Sequence, residues 1–325
     1  MENFKLLKNV CVIIPVFKVK KKLNSVVKKL LNLKPHLIIL VDDCCPDKSL
    51  KTIKNNNKKI IKIHHKKNEG VGGAFLSGLN YIKKHKIKNI DYVAKIDADD
   101  QHDPSDLLIM KFNINKFDAD FVKGNRFLLM NKPENMSLIR KIGNVFLTFL
   151  FKLASGQWNL SDPVNGIFLG RSKLFYDLDR FNIKKRYLFE SSLLFTLSNL
   201  KARVIEVPSK IFYNDEYSSL SWYKEILPFL YFYLKCFLLR IIKEYLYPDL
   251  NAGILPLISF FVFLSLFSKK TLTIFENVKL NIDSDVADIN LFVLYLISTL
   301  LCFFIWLLFD TSKNRNNVSI YSFYK

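Results

Sequence analysis

The 325-residue chain is poor in cysteine, with Cys11, Cys44, Cys45, Cys236 and Cys302 and no Cys-x-x-Cys pair. An odd, irregularly spaced set suggests neither a disulfide framework nor a zinc site and fits a reducing cytosol. A secretory leader is also not expected. The apolar run from Val10 to Phe17 is too short and lacks a small-residue cleavage site, so it reads as a first strand. Acidic residues are the minority charge, 29 against 49 Lys and Arg, for a formal net charge of +20. The lysines are scattered, with no basic stripe carrying interleaved aromatics, so no nucleic-acid partner is expected. The excess charge alone does not choose between an anionic membrane surface, a phosphorylated substrate and a general compositional bias toward lysine. Disorder is excluded by a hydrophobic content of 50% and an aromatic content of 14%.

Charge is absent from two stretches near the C-terminus, Gly253 to Phe267, closed by Lys269 and Lys270, and Ile289 to Phe309. A spanning helix needs about 20 apolar residues. The second stretch has that length, and the first reaches it only with Asn251, Ala252 and Ser268 counted, the alternative being a re-entrant segment. Basic residues precede the first stretch (Lys235, Arg240, Lys243) and follow the second (Lys313, Arg315, Lys325), whereas the connecting loop is mainly acidic. The positive-inside tendency then puts both ends in the cytoplasm, with Lys269 and Lys270 running against it. Between Trp222 and Tyr247 the apolar pattern is too often interrupted to span. Lys235, Arg240 and Lys243 share one broad helical face there, as in an interfacial helix. An ordinary buried helix is the alternative.

Before Trp222, apolar runs at Val10 to Val16, Leu37 to Val41, Ile60 to Ile63 and Tyr92 to Ile96 alternate with segments of helical period. That alternation predicts a doubly wound, mostly parallel α/β sheet whose ligands bind beyond the carboxyl ends of the strands. The residues following those runs are polar: Asp42 and Asp43, then His64 and His65, then Asp97 to His102. Carboxylates gathered on one rim call for a hard divalent cation, which a diphosphate would bring. Asp97 and Asp99 flank one residue at a strand end and so can face one metal. The glycine run Gly70, Gly72, Gly73 opens a helix, where backbone amides can approach an anion. It is neither a Gly-x-x-x-x-Gly-Lys loop nor a full Gly-x-Gly-x-x-Gly fingerprint, and close packing of helix on sheet is the other reading.

Taken together, Val12-Ile13-Ile14-Pro15-Val16-Phe17, Val41-Asp42-Asp43, Asn68-Glu69-Gly70-Val71-Gly72-Gly73-Ala74 and Lys95-Ile96-Asp97-Ala98-Asp99-Asp100-Gln101-His102-Asp103-Pro104 resemble the family 2 inverting glycosyltransferases. Lys123-Gly124-Asn125-Arg126, Ser161 to Gly166, Tyr187 to Glu190 and Val204 to Pro208 resemble its polyprenyl-phosphate, dolichyl-phosphate mannosyltransferase-like branch. The resemblance covers roughly residues 8 to 250. It implies a GT-A fold, expected over residues 1–221, and the apolar and charge pattern beyond predicts an interfacial helix region at 222–250, a two-helix transmembrane hairpin at 251–312 and a cytoplasmic tail at 313–325.

The same resemblance implies that Pro15, Val16, Asp42, Asp43, Asn68, Gly72, Asp97, Ala98 and Asp99 bind a UDP- or GDP-sugar. It places Asp99 and Gln101 at Mg2+ or Mn2+, Arg126, Asp162 and Asn165 on the acceptor side, and Asp99, Arg126 and Glu190 as the catalytic set. Departures from the family pattern are Phe17-Lys18 for Tyr-Asn, Cys44-Cys45 for Gly-Ser, Asp100 for Gly, and the run Asn214 to Leu220, which lacks the usual Arg and Gly.

The expected activity is inverting, metal-dependent transfer of a sugar to a polyprenyl phosphate at the cytoplasmic face of the inner membrane. A phosphate acceptor is already anionic and needs a positioning cation, for which Arg126 is the candidate. A saccharide acceptor, in surface polysaccharide or lipid-linked oligosaccharide synthesis, would instead need Glu190 as base. A non-catalytic membrane-anchored binding protein is the third reading, and a homo-oligomer is left open. Nucleotidyl transfer is disfavoured because a glycine-rich, Lys/Arg-bearing loop after the first strand is missing.

Overall fold

The computed structural model describes residues 6–54, 57–128, 138–176, 178, 181–211, 222–280, 282–283 and 285–313. The Asn214 to Leu220 run and the basic tail beyond Lys313 lie outside the described residues. The chain divides after Tyr233 into two compact units.

In the first unit, each apolar run expected to be a strand is one: β1 (Val10–Val16), β2 (Leu37–Asp42), β3 (Ile60–His64) and β4 (Tyr92–Lys95). They are joined by β5 (Phe121–Asn125), β6 (Phe168–Arg171) and β7 (Val204–Pro208) in one mixed sheet of order β3-β2-β1-β4-β6-β5-β7. Pairing is parallel except that β6 runs antiparallel to both β4 and β5. β1 is buried at every position but Pro15, as befits a strand with helices on both faces.

The two faces follow from alternation along β1. Val10, Val12, Ile14 and Val16 enter an apolar cluster with Leu23, Val26 and Leu30 of α1 (Leu23–Asn32) and Leu107, Met110 and Ile114 of α3 (Asp106–Lys116). On the opposite face Phe75 of α2 (Gly70–Lys84) meets Phe168 edge-on at 5.2 Å and Phe189 of α5 (Phe189–Asn199) at 5.5 Å. Phe151 of α4 (Leu138–Ser155) packs on Tyr233 of α6 (Trp222–Ile241), and the Tyr233 hydroxyl lies 2.9 Å from Ser191 Oγ.

The second unit is a pair of long helices, α7 (Ile254–Lys279) and α8 (Val286–Lys313), with the preceding turn at Ile242–Leu246. Phe260 stacks near Phe303 at 5.4 Å and Phe267 near Phe292 at 5.0 Å, an antiparallel hairpin. With 26 and 28 residues and mean hydropathies of 1.6 and 2.6, both are long and apolar enough to cross a membrane. Little of either apolar window is buried, 6% and 11%, so neither is the core helix of a soluble domain. Two expectations change here. The first apolar stretch does not stop at Lys269 and Lys270, because α7 runs on through them and Lys270 is neutralised by Asp288 of α8. Arg240 does not share an outward face with Lys235 and Lys243. It is buried against Asp310, 2.7 Å away, while the two lysines stay exposed.

Candidate functional site

Strand order reverses between β1 and β4, so the crevice beyond their carboxyl ends is the switch point where an open α/β sheet binds ligands. On the β1 and β2 side, Pro15 is half-exposed and Val16 pairs in register with Asp42. The Asp42 carboxylate accepts the Cys45 amide at 2.8 Å and lies 3.0 Å from His64 Nδ1. Asn68 stays at the rim and donates to the Asp43 carbonyl.

Several expected donor contacts turn inward instead. Asp43 is buried, and its carboxylate accepts the amides of Glu69 and Gly70, at 2.7 and 2.8 Å, and meets His65 Nδ1 at 2.8 Å. It therefore satisfies the amino end of α2, whose dipole favours an anion there. Gly72 donates to the Lys185 carbonyl at 2.8 Å, and a Cβ on it would strike the Phe189 ring. The glycine run is thus closely packed against the Lys184 to Phe189 segment. Val16 and Ala98 point into the apolar cluster and offer no side chain to the crevice.

At the end of β4 sits Lys95, fully buried, whose ammonium donates to Asp97 Oδ1 at 2.7 Å, the Gly166 carbonyl at 3.0 Å and Glu190 Oε1 at 3.1 Å. Gly166 has no room for a Cβ beside Asp97 Oδ2. Burial alone would push the Asp97 carboxyl up, but Lys95 and His102 outweigh it and hold it below the usual carboxylate range. Burial likewise opposes the Lys95 ammonium, yet Asp97 and Glu190 raise its pKa. Asp99 accepts the Gln101 amide at 3.1 Å, and both are half-exposed at the crevice. Asp100 between them has φ of +57°, where glycine would be unstrained, and is held by Ser25 and Lys29, each at 2.8 Å. His102 is buried, and its Nδ1 has no hydrogen-bond partner among the described residues. Burial drops its pKa to about 4, so it is neutral at neutral pH.

Asp99 and Gln101 make an all-oxygen donor pair, which suits Mg2+ or Mn2+. Among the described residues no group of three or more His, Cys, Asp or Glu is placed to hold a metal. A hard cation that takes one or two protein oxygens and completes its shell with substrate phosphates and water fits such a site.

Beyond β5, Arg126 and Asp162 form a buried bidentate pair, Nε to Oδ2 at 2.8 Å and Nη2 to Oδ1 at 2.6 Å, and the Arg126 amide also donates to Oδ2. Burial works against the Asp162 carboxylate, and Arg126 more than compensates, lowering its pKa. Asn165 does not face the crevice. It is 1% exposed, its side chain donates to the Gly124 carbonyl, and its own carbonyl accepts from Lys123. Burial lowers the Lys123 ammonium to about 8 and raises the Glu206 carboxyl to about 7.

Thus Asp97, Glu190, Arg126 and Asp162 of the expected residues converge, tied together by Lys95, Lys123, Asn125, His102 and Glu206, to which sequence reasoning assigned no role. The available signal was a lone charge within an otherwise apolar strand, as in Tyr-Val-Ala-Lys95, Phe-Val-Lys123 and Val-Ile-Glu206-Val. Such a charge is buried only with a partner. Beside the α2 amino end a recess of about 560 Å3 is lined by Lys67, Asn68, Lys184, Lys185 and Arg186 among others.

Residues 11–179 match the family described as Glycosyl transferase family 2. A UDP-N-acetylglucosamine–dolichyl-phosphate N-acetylglucosaminyltransferase of Methanococcus voltae is 32% identical over 241 residues, 70% of this chain and 94% of that protein. Among solved structures, glucosyl-3-phosphoglycerate synthase from Mycobacterium tuberculosis in complex with UDP superposes with a TM-score of 0.51 at 15% identity, over 72% of this chain and 80% of that one, a likeness of fold alone. S. aureus TarS in complex with UDP matches 72% of this chain with a TM-score of 0.46 at 17% identity, and the match spans 65% of that chain.

Proposed function

Since the chain belongs to glycosyl transferase family 2 and is a glycosyltransferase, we propose that it moves a sugar from a UDP-sugar to a polyprenyl phosphate at the cytoplasmic face of a membrane that its C-terminal hairpin crosses twice. The observation that carries the choice of acceptor is the Lys95 to Glu190 ion pair. A saccharide hydroxyl would need Glu190 as its base, and Oε1 of that carboxylate is already engaged by a buried ammonium. A phosphate oxygen is anionic without a base and needs only positioning. The dolichyl-phosphate acceptor and UDP carrier in the name of the Methanococcus voltae relative support the same reading.

In this mechanism Asp42 and Asp97 hold the nucleoside at the switch point, with Pro15 and Asn68 beside it. Asp99 and Gln101 would hold Mg2+ or Mn2+, which when bound offsets the charge growing on the leaving diphosphate. Arg126, fixed by Asp162, orients the acceptor phosphate so that its oxygen reaches the anomeric carbon from the face opposite the leaving group, and configuration inverts. Glu190 stays paired throughout and keeps Lys95 charged. On this account Glu190→Gln retains most of its transfer rate to polyprenyl phosphate, within about tenfold, measured with full-length protein in membranes. Near-total loss would instead assign Glu190 as the base for a hydroxyl acceptor.

A further inference from the structure

Glu206 lies in β7, is 6% exposed, and takes no part in the mechanism above. Its carboxylate nevertheless anchors two separate paths, one that ends on Arg126 and one on the amide of its chain neighbour Phe127. Along the first, Oε2 and Oε1 accept the backbone amides of Ser161 and Asp162, each at 2.9 Å, which fixes the turn carrying the Asp162 side chain. Asp162 in turn grips Arg126 at its amide, Nε and Nη2. Along the second, Oε2 accepts from Asn125 Nδ2, and Asn125 Oδ1 accepts the Phe127 amide at 2.7 Å. Arg126 is therefore held from both sides of its own backbone by hydrogen bonds that start on one buried carboxylate. A carboxylate suits this, because the three groups hydrogen-bonded to it are all N–H donors and both of its oxygens accept without donating.

We propose that Glu206 is the positioning residue for Arg126, and through it for the anionic group of the acceptor. The inference rests on the acceptor-side reading of Arg126. Glu206→Gln places an NH2 against at least one N–H donor, so it loosens the 161–162 turn or the Asn125 arm while keeping shape and volume.

The test uses full-length protein in detergent micelles, with UDP-N-acetylglucosamine as donor and a short-chain polyprenyl phosphate as acceptor. Glu206→Gln should raise the acceptor KM about tenfold and leave the donor KM within about twofold. Arg126→Lys should show the same acceptor-selective defect, and the double variant should be no worse than Arg126→Lys alone, since both act through one group. If Glu206→Gln fails to accumulate folded, Asn125→Ser cuts only the second arm and should raise the acceptor KM about threefold. A loss of thermal stability or a fall in kcat with both KM values unchanged, or defects that multiply in the double variant, overturns the positioning role. An Arg126→Lys protein with an unaltered acceptor KM overturns the acceptor-side reading itself, and the inference with it.

Discussion

Lys95 shows how one side chain can decide whether a site holds together. Its ammonium is fully buried and donates to three acceptors on three chain segments. Removing one partner of a buried ion pair leaves the other desolvated and uncompensated, a loss of about 3–5 kcal/mol. Lys95→Met is accordingly expected to lower stability by that order, and Lys95→Met with Glu190→Gln by clearly less, read as shifts in thermal midpoint of the detergent-solubilised protein. Equal destabilisation of the two would mean that Lys95 acts by packing and not by charge.

A second residue-scale effect is a pH dependence at Asp106. Burial raises its carboxyl to about 6 from an unfolded value near 3.8, against the pull of Ser209 and the Lys210 amide. The native state then holds this proton more tightly than the unfolded state. The contribution is fully present below about pH 4 and lost as pH rises through about 6. Asp106→Asn should be stabilising by about 1–3 kcal/mol above pH 6 and near neutral at pH 4. A pH-independent shift in melting midpoint would contradict the assignment.

Residue types that departed from the family pattern also find their explanation at this scale. Cys44 and Asp100 stand where glycine is usual, and both adopt a left-handed backbone, φ of +56° and +57°. Asp100 is held there by Ser25 and Lys29. The backbone shape persists although the residue best suited to it is gone.

At the scale of elements, the amino end of α2 was legible as a special feature with two readings, ligand contact and close packing. The glycines announce that something approaches the backbone closely. Only the fold shows that it is the Lys184 to Phe189 segment, with Gly72 facing the Phe189 ring. Gly72→Ala should cost about 1–3 kcal/mol by overpacking, seen in thermal melts, with donor KM unchanged once the protein is folded. A selective rise in donor KM would restore ligand contact at this position.

The strands β1, β2 and β4 could be read from apolar runs because each is buried on both faces and bounded by polar rims, whereas the edge strand β3 is only partly buried and was legible from Ile60, Ile61 and Ile63. The direction of β6 could not, since a four-residue strand carries no local mark of whether its neighbours run with it or against it. Arg240 was misread for a related reason. Helical periodicity places it beside Lys235 and Lys243, but its counter-charge, Asp310, lies 70 residues away.

For the whole molecule, Asp97, Arg126, Asp162 and Glu190 were legible as a set through the motifs that resemble the family, and the fold brings them together. The lysines and glutamate that knit them together were not, because an isolated charge in a strand gains meaning only from partners on other strands. The hairpin of α7 and α8 leaves apolar side chains facing outward along its length, as lipid demands and water does not. Under the proposed function, the transferase unit takes the nucleotide-sugar and a hairpin of that character suits a lipid-borne acceptor.

The most direct measurement is transfer of radiolabelled sugar from a panel of UDP- and GDP-sugars into organic-extractable lipid, using membranes that contain the full-length protein, with and without EDTA. The account predicts a mild-acid-labile labelled lipid formed from a UDP-sugar, lost with EDTA and absent for Asp99→Ala. Label recovered only in longer saccharide, or undiminished in Asp99→Ala membranes, would contradict it.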